Sequence, residues 1–240
     1  MSGLLSRFVV LLGFFLVACN PASAPATTLQ IGLSPAARPL QAAIGVCLPA
    51  DEGLSANLQV IYPNQVDLAE WDLYFQLGEP ASEPGFVAQV AWEQLALALP
   101  SERLLHLSAV QVAQLFRGQI ANWSELGQTS AEVNLYLPPA GDETRQAFER
   151  AILQGQVAGD ARLTTSPAEM AAAVAADANA VGLLPLAWAS PGISLASLDL
   201  RLPVLTLADA PPQGAAHALL ACLQGPLGQA ALTELYEGIQ

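Results

Sequence analysis

The stretch LSAVQVAQLFRGQIANWSELG, which runs from Leu107 to Gly127, predicts a short helix followed at once by a polar turn. Ser108 is a favourable helix N-cap, and Gly118 supplies the left-handed residue that commonly ends a helix. The apolar side chains at helical spacing between them are Val112, Leu115 and Phe116. Asn122 and Trp123 belong to the polar turn that follows. The apolar positions share one face, so we expect an amphipathic helix packed on a larger apolar body.

Composition indicates a folded, acidic protein. Hydrophobic residues make up 53% of the 240 residues and charged residues only 12%, which argues against a disordered chain. The eight basic residues are all arginine and stand against 21 acidic ones, for a formal net charge of -13. This balance argues against nucleic acid as a partner, because binding to it depends on cationic contacts to phosphate. A small anion is compatible with it, since backbone amides at a helix N-terminus can bind one.

The first residues have the pattern of a bacterial lipoprotein signal peptide. Arg7 precedes an apolar run that is too short to span a bilayer comfortably, and Leu16-Val17-Ala18-Cys19 matches the lipobox, in which the cysteine is acylated. We therefore expect residues 1–18 to be a signal peptide, Cys19 to carry the lipid and residues 19–28 to form a flexible tether. The alternative is an uncleaved anchor. Either places the folded part, from about Leu29, outside the cytoplasmic membrane.

Two further cysteines, Cys47 and Cys222, remain when Cys19 is set aside. In an oxidising compartment they can form a disulfide, and two buried thiols are the alternative. The sequence leaves both open.

Strand and helix signals alternate along the chain, which predicts an α/β fold with largely parallel sheets. The expected strands are 29–34, 57–63, 71–77, 85–100, 135–138, 180–186 and 202–207. The expected helices follow Ser34-Pro35, Ser108, Asp142 and the capping-box sequence beginning at Ser166, and two more lie around 217–223 and after Pro226.

Four segments, in chain order, resemble the phosphate-binding proteins of ABC importers. Residues 107–127 are similar to that family's helix and Asn-Trp turn, and residues 133–152 are similar to its strand, phosphate loop and helix. Residues 170–188 are similar to its helix and buried strand, and residues 225–239 are similar to its closing helix. The resemblance implies a type II periplasmic-binding-protein fold, in which two lobes enclose a cleft. It places residues 29–95 and 187–240 in lobe 1 and residues 96–186 in lobe 2, with hinges at 87–100 and near Leu186.

The resemblance also implies where a ligand would bind, although the loop has changed. The family's Gly-Ser-Gly-Thr loop corresponds to Gly141, Asp142, Glu143 and Thr144, so two carboxylates stand where an oxyanion would need positive potential. Asp142 can itself accept hydrogen bonds from the free amides of the helix that it caps. The family's cationic partners correspond to Pro138 and to Leu77-Gly78, which carry no charge.

The complete set of ligand-binding residues implied by the resemblance is Ser34, Asp72, Gly141, Asp142, Glu143, Thr144 and Arg145. Each of four has a structural alternative. Ser34 can be a helix cap, Asp72 a solvated strand end, and Thr144 an ordinary first-turn residue. Arg145 can pair with Glu149 one helical turn later.

Solute binding for an ABC permease, as a monomer without cofactor or metal, is the leading functional hypothesis. Its alternative is a binding domain that has lost transport and acts as a surface sensory or interaction module. A serine hydrolase using Ser194, Asp209 and His217 is a weaker alternative, because the nucleophile-elbow sequence lacks its last glycine. A cation site built from the acids Glu79, Glu83, Asp142 and Glu143 is a further alternative.

Overall fold

The computed structural model describes residues 27–48, 54–103, 105–154 and 160–239. The expected signal peptide, Cys19 and most of the expected tether lie outside these residues. The tether boundary needs correction, because Thr27 and Thr28 already belong to the first strand and pair with Leu54 and Ser55.

Nine strands within the described residues form one sheet, with helices packed on it. The strands are β1 (Thr27–Leu33), β2 (Leu54–Val60), β3 (Leu73–Leu77), β4 (Phe86–Pro100), β5 (Asn134–Leu137), β6 (Arg162–Leu163), β7 (Ala180–Pro185), β8 (Ile193–Ala208) and β9 (Glu237–Gly238). The helices are α1 (Gln41–Cys47), α2 (Ala109–Phe116), α3 (Glu143–Phe148), α4 (Pro167–Ala176), α5 (Gly214–Gln224) and α6 (Pro226–Leu232). The chain continues from α3 into a π-helical turn, Glu149–Leu153. None of these helices has the length and apolar character needed to cross a membrane.

The sheet has the order β2-β1-β3-β8-β4-β7-β5-β6, and β9 pairs with β4. Its two flanks are parallel, as the α/β pattern predicts: β1 pairs with β2 and β3, and β5 pairs with β6 and β7. The centre is antiparallel, because the long strands β4 and β8 run through both flanks in opposite directions. Their pairing extends from Phe86 opposite Ala208 to Pro100 opposite Ile193.

The long strand β4 contributes to two hydrophobic cores. Val90 and Ala91 lie in a first core with β1, β3, α1, α5 and α6, and Leu95 and Leu97 lie in a second core with α2, β5 and β7. We call the two parts of the molecule around these cores the first and second lobes. Since β4 and β8 both pass from one lobe to the other, they are the connecting strands between them.

The second connecting strand differs from expectation. The sequence predicts a strand over 202–207 and a crossing near Leu186, whereas β8 begins at Ile193 and Leu186 opens a 3-10 turn. The first half of β8 packs on the second lobe through Ala196 and Leu198, and Leu202 belongs to the first core. The lobes are therefore joined through the middle of β8.

The helix and turn of residues 107–127 form as the sequence predicts. Ser108 caps α2 in a capping box, and Gly118 has a φ of 70° after its end. Asn122 caps the 3-10 turn Trp123–Leu126, and the buried Trp123 indole donates to the carbonyl oxygen of Asn179 at 3.1 Å. The polar turn thus places Trp123 in the second core.

Cys47 and Cys222 are joined by a disulfide, with their Cα atoms 5.6 Å apart. The bond links α1 to α5 at the first core. Of the two alternatives that the sequence leaves open, the structure contains the disulfide.

Candidate functional site

The carboxyl ends of β1 and β3 meet at one edge of the first lobe. The two strands are parallel neighbours with Leu33 opposite Phe75, and the Ser34 amide donates to the Phe75 carbonyl oxygen at 2.8 Å. Ser34 follows the end of β1, and Leu77 ends β3; both are fully buried. This edge of a parallel sheet is where ligands bind in open α/β folds.

The loop before α3 brings the second lobe to this edge. Gly141 has a φ of 96°, which glycine adopts without strain, and its Cα faces the side chain of Asn64 in the first lobe. Helix α3 packs against β3, and its Ala147 belongs to the first core while Phe148 belongs to the second. The start of α3 is therefore held between the lobes.

Asp142 caps this helix with its own side chain. Its Oδ1 accepts hydrogen bonds from the amides of Thr144 at 2.9 Å and Arg145 at 3.1 Å, and the Thr144 hydroxyl donates to the same oxygen. These amides are the groups that would otherwise be offered to a bound anion. Burial raises the pKa of Asp142, and the bonds from Thr144 and Arg145 oppose that increase. The capping predicted from the sequence is present, and it occupies the helix amides.

Glu143 directs its carboxyl group into the space between the lobes. The residue is 5% exposed, and within the described residues neither of its carboxyl oxygens has a hydrogen-bond partner. The Ser34 hydroxyl and the Leu77 amide lie close enough to lower its pKa, although neither reaches ordinary hydrogen-bond geometry. Burial, with a smaller contribution from the charge of Asp142, outweighs them and raises the pKa of Glu143 from 4.5 to about 8.

Two tyrosines beside this acid pair were not singled out by the sequence. The Tyr62 hydroxyl donates to the carbonyl oxygen of Thr165 in the second lobe, and Tyr74 donates to the carbonyl oxygen of Ile61 at 2.9 Å. Burial and the charges of Asp142 and Glu143 raise the pKa of both phenols. The position of Tyr62 directly after a strand, in NLQVIYP, is the signal in the sequence that could have indicated this contact.

The structure does not bring Asp72 to this place. Its exposed carboxylate accepts from the Gln30 amide at 2.8 Å, at the amino end of β3. Ser34 follows Gln30 by four residues, so about 13 Å of extended strand separates the two ends. Asp72 fulfils its structural alternative, that of a solvated strand end.

Arg145 is also turned away from the Glu143 carboxyl group. Its guanidinium pairs with Glu149 at 2.7 Å and donates to the carbonyl oxygen of Pro138 at 2.9 Å. Its charge lowers the pKa of Asp142, so it acts on the loop at a distance. Of the seven residues implied by the resemblance, Ser34 and the loop Gly141–Thr144 come together, and Asp72 and the Arg145 side chain do not join them.

A separate cavity of about 900 Å³ is lined by α1, α4 and residues 187–191. Trp188 lies in its wall, and its indole donates to the carbonyl oxygen of Ala36 at 2.9 Å. Alanine and proline make up most of the lining, with Arg38, Gln41 and Ser190 as its polar side chains. A mostly apolar wall suits a small oxyanion less well than the buried polar groups around Glu143.

The hydrolase hypothesis does not match the geometry. Ser194 lies inside β8 rather than on a strand-to-helix turn, and its hydroxyl donates to the carbonyl oxygen of Arg103 at 3.1 Å. Asp209 follows the other end of the same strand, about 50 Å further along at the usual rise per residue. A serine and an acid at opposite ends of one strand do not form a triad.

A metal site is not found in the part of the chain that the structure describes. No three His, Cys, Asp or Glu side chains there are grouped so as to hold an ion. Glu79 and Glu83 therefore do not complete a cation site with Asp142 and Glu143.

Comparison with solved structures identifies the fold. A putative phosphate ABC transporter substrate-binding protein with bound phosphate, from Clostridium perfringens, matches with a TM-score of 0.79 at 14% identity over 89% of this chain and 100% of that one. An ABC-type phosphate transport receptor from Vibrio cholerae matches with a TM-score of 0.65 at 16% identity over 87% and 100%. The reduced OxyR regulatory domain from Pseudomonas aeruginosa matches with a TM-score of 0.56 at 13% identity over 83% and 98%.

These likenesses show the two-lobed type II periplasmic-binding-protein fold, and they show the fold alone, since a regulatory domain shares it with binding proteins. The sequence itself identifies the family. The model of the family described as bacterial extracellular solute-binding protein matches residues 56–234, which is most of the chain. The chain belongs to the bacterial extracellular solute-binding protein family.

Proposed function

We propose that the protein is a lipoprotein anchored through Cys19 outside the cytoplasmic membrane, where it binds a small polar solute as a monomer and delivers it to the permease of an ABC importer. The lipobox supports the anchor, and an extracytoplasmic location agrees with the family. Binding proteins of phosphate ABC transporters share the fold, which supports the importer. No chemical step is part of this proposal.

The observation that carries the proposal is the meeting of buried polar groups from two lobes at one place. Ser34 and the end of β3 come from the first lobe, and Glu143 and Thr144 come from the second. A solute held there would touch both lobes, so binding would favour the closed arrangement over an open one. Movement about β4 and β8, which connect the lobes, would then be a hinge closure.

The solute class follows from the charges at this place. The resemblance implies phosphate or a related oxyanion, but Asp142 and Glu143 place two carboxyl groups there, and the side chains at Pro138 and Leu77 supply no cation. A fully ionised anion would find no opposite charge there, whereas a solute with protons to donate would find carboxyl oxygens that accept them. We therefore infer a small polar solute that carries hydrogen-bond donors.

The test is direct identification of the solute. The full chain is purified from membranes in mild detergent and denatured, and the released small molecules are identified by mass spectrometry. We expect one polar molecule at about one per protein. Recovery of none, together with no thermal shift on adding phosphate and other small polar solutes, would refute solute delivery. Mass spectrometry of the N-terminal peptide tests the lipid on Cys19, and Cys19→Ser is expected to release the protein from membranes.

The second candidate function is a sensory or interaction module. It is favoured by one observation, namely that the protein's own Glu143 carboxyl group already lies among the polar groups that would hold a solute. A regulatory domain with the same fold shows that the architecture is compatible with such a role. This candidate predicts that no solute is recovered and that surface variants, rather than Ser34 or Thr144 variants, abolish function.

A further inference from the structure

Glu143 is a long acidic side chain that is buried where the lobes meet. It is the first residue of α3, a position where acidic side chains commonly remain in solvent and interact with the helix dipole from outside. Here only 5% of the residue is exposed, and both carboxyl oxygens are fully covered without a hydrogen-bond partner among the described residues. Burial of an unpaired carboxyl group is unfavourable, so its place requires an explanation.

The groups around this carboxyl group are those that suit an oxyanion. The Ser34 hydroxyl accepts from the Ala37 amide at 3.2 Å, which leaves its proton free to point at Glu143. The Leu77 amide and the amide of Glu143 itself also favour the charged form. Ser34 and Leu77 belong to the first lobe and Glu143 to the second, so the carboxyl group contacts the opposite lobe.

We propose that the Glu143 carboxyl group is a built-in ligand, which occupies the position of an oxyanion between the lobes and excludes free oxyanions such as phosphate from it. This inference rests on the proposed function, since it names the residue that controls which solutes enter the same site. Glu143 corresponds to a glycine in the loop of the phosphate-binding proteins, where no side chain can fill the space. Glu143 is therefore the specificity-determining residue of the site.

Tethering makes this internal ligand an effective competitor. A group held on the same chain acts at an effective concentration of the order of millimolar or higher, without loss of translational freedom. A free solute must compete with that concentration. Its apparent affinity is the intrinsic affinity multiplied by the fraction of molecules in which the site is vacant.

The experiment compares variants of the full chain in mild detergent, with inorganic phosphate as the probe. Glu143→Gly removes the side chain, and Glu143→Gln replaces the ionisable carboxyl group with an amide of the same size. Asp142→Ser, alone and combined with Glu143→Gly, provides a second pair in which the neighbouring charge is absent and a cap is retained. Binding is measured by calorimetry and folding by circular dichroism.

We expect Glu143→Gly to bind phosphate at least about tenfold more tightly than the wild type, because the tethered competitor is gone. The double variant is expected to exceed Asp142→Ser by a similar factor, and Glu143→Gln to show no gain. Equal phosphate affinity of the wild type and Glu143→Gly overturns the inference. So does the absence of any gain in both folded variants that lack the side chain.

The test of the built-in ligand and the test of solute delivery can fail independently. If Glu143→Gly gains phosphate binding while the wild type yields no solute from membranes, solute delivery fails and the built-in ligand stands. If the wild type yields a solute and the glycine variants gain nothing, solute delivery stands and the built-in ligand fails.

Discussion

Replacing Glu143 with glutamine is expected to remove a large part of the pH dependence of folding stability. Burial raises the pKa of Glu143 from 4.5 to about 8 in the folded protein. Between these values the folded state keeps the proton and the unfolded state releases it, so the free energy of unfolding falls as the pH rises. The slope for one such group is about 1.4 kcal/mol per pH unit, which gives a loss on the order of 4 kcal/mol by pH 8.

Other titrating groups lie near Glu143 and must be separated from it. Asp142 is its immediate neighbour, with a raised pKa that the charge of Arg145 opposes, and Tyr62 and Tyr74 titrate well above this range. Because the acids at 142 and 143 interact, the substitution reports on the pair rather than on one microscopic site. The difference between wild type and variant cancels the contributions of distant acids.

The assay is urea unfolding of both proteins at a series of pH values from 4.5 to 8.5. Wild type and Glu143→Gln should have similar free energies of unfolding near pH 4.5, and the variant should be more stable by several kcal/mol near pH 8. Glu70→Gln, which removes an exposed acid and changes the net charge equally, is the matched control and should run parallel to the wild type. Parallel curves for Glu143→Gln and the wild type would refute a buried, proton-retaining Glu143.

Three other predictions concern stability. Replacing Cys47 and Cys222 with alanine opens a link across 175 residues and should lower the free energy of unfolding by about 2–5 kcal/mol; an unchanged urea midpoint, or no effect of reductant on the wild type, would contradict this. Trp123→Ala removes a fully buried indole from the second core and should lower the free energy of unfolding in urea by about 3–5 kcal/mol. A loss below about 1 kcal/mol would mean that the indole does not pack in the core. Glu93 is buried between the lobes, and burial raises its pKa to about 7. Glu93→Gln should therefore reduce the fall in the free energy of unfolding between pH 4.5 and 7. An unchanged slope of that free energy against pH would count against the burial of Glu93.

Local signals account for the parts of the fold that the sequence predicts well. The helix after Ser108 begins and ends where its cap and Gly118 place it, because both act within one turn of the backbone. The capping by Asp142 is local in the same sense and also forms as expected. Such features depend on neighbours in sequence and need no knowledge of the tertiary structure.

The strand β8 shows where local signals fail. Asp199 has a φ of 53°, and the pairing with β4 shifts register between Leu95 and Ala96. This bulge interrupts the alternation that marks a strand, so the sequence predicts only residues 202–207 of β8. Pairing with β4 keeps β8 in the sheet on both sides of the bulge. This pairing joins residues that are far apart in the sequence.

The positions of two site residues also depend on long-range contacts that local sequence signals do not contain. Asp72 directly precedes β3, which pairs with β1, but which end of a strand faces the other lobe is set by the register and by the path of the connections. Acidic first-turn residues are common on solvent-exposed helix starts, and only the resemblance places Glu143 at the site. Its burial follows only when α3 packs on β3, a contact between segments far apart in the chain.

The position of Glu143 constrains what any solute of this protein must do. A ligand shifts an equilibrium between open and closed lobes only by its differential affinity for the two states. Because the Glu143 carboxyl group already fills space between the lobes, a solute that merely adds itself to the cleft gains little from closure. A transported solute must therefore displace Glu143, or bind so that the carboxyl group accepts hydrogen bonds from it. A solute that does neither has no differential affinity for the closed arrangement, and closure then carries no information to a permease.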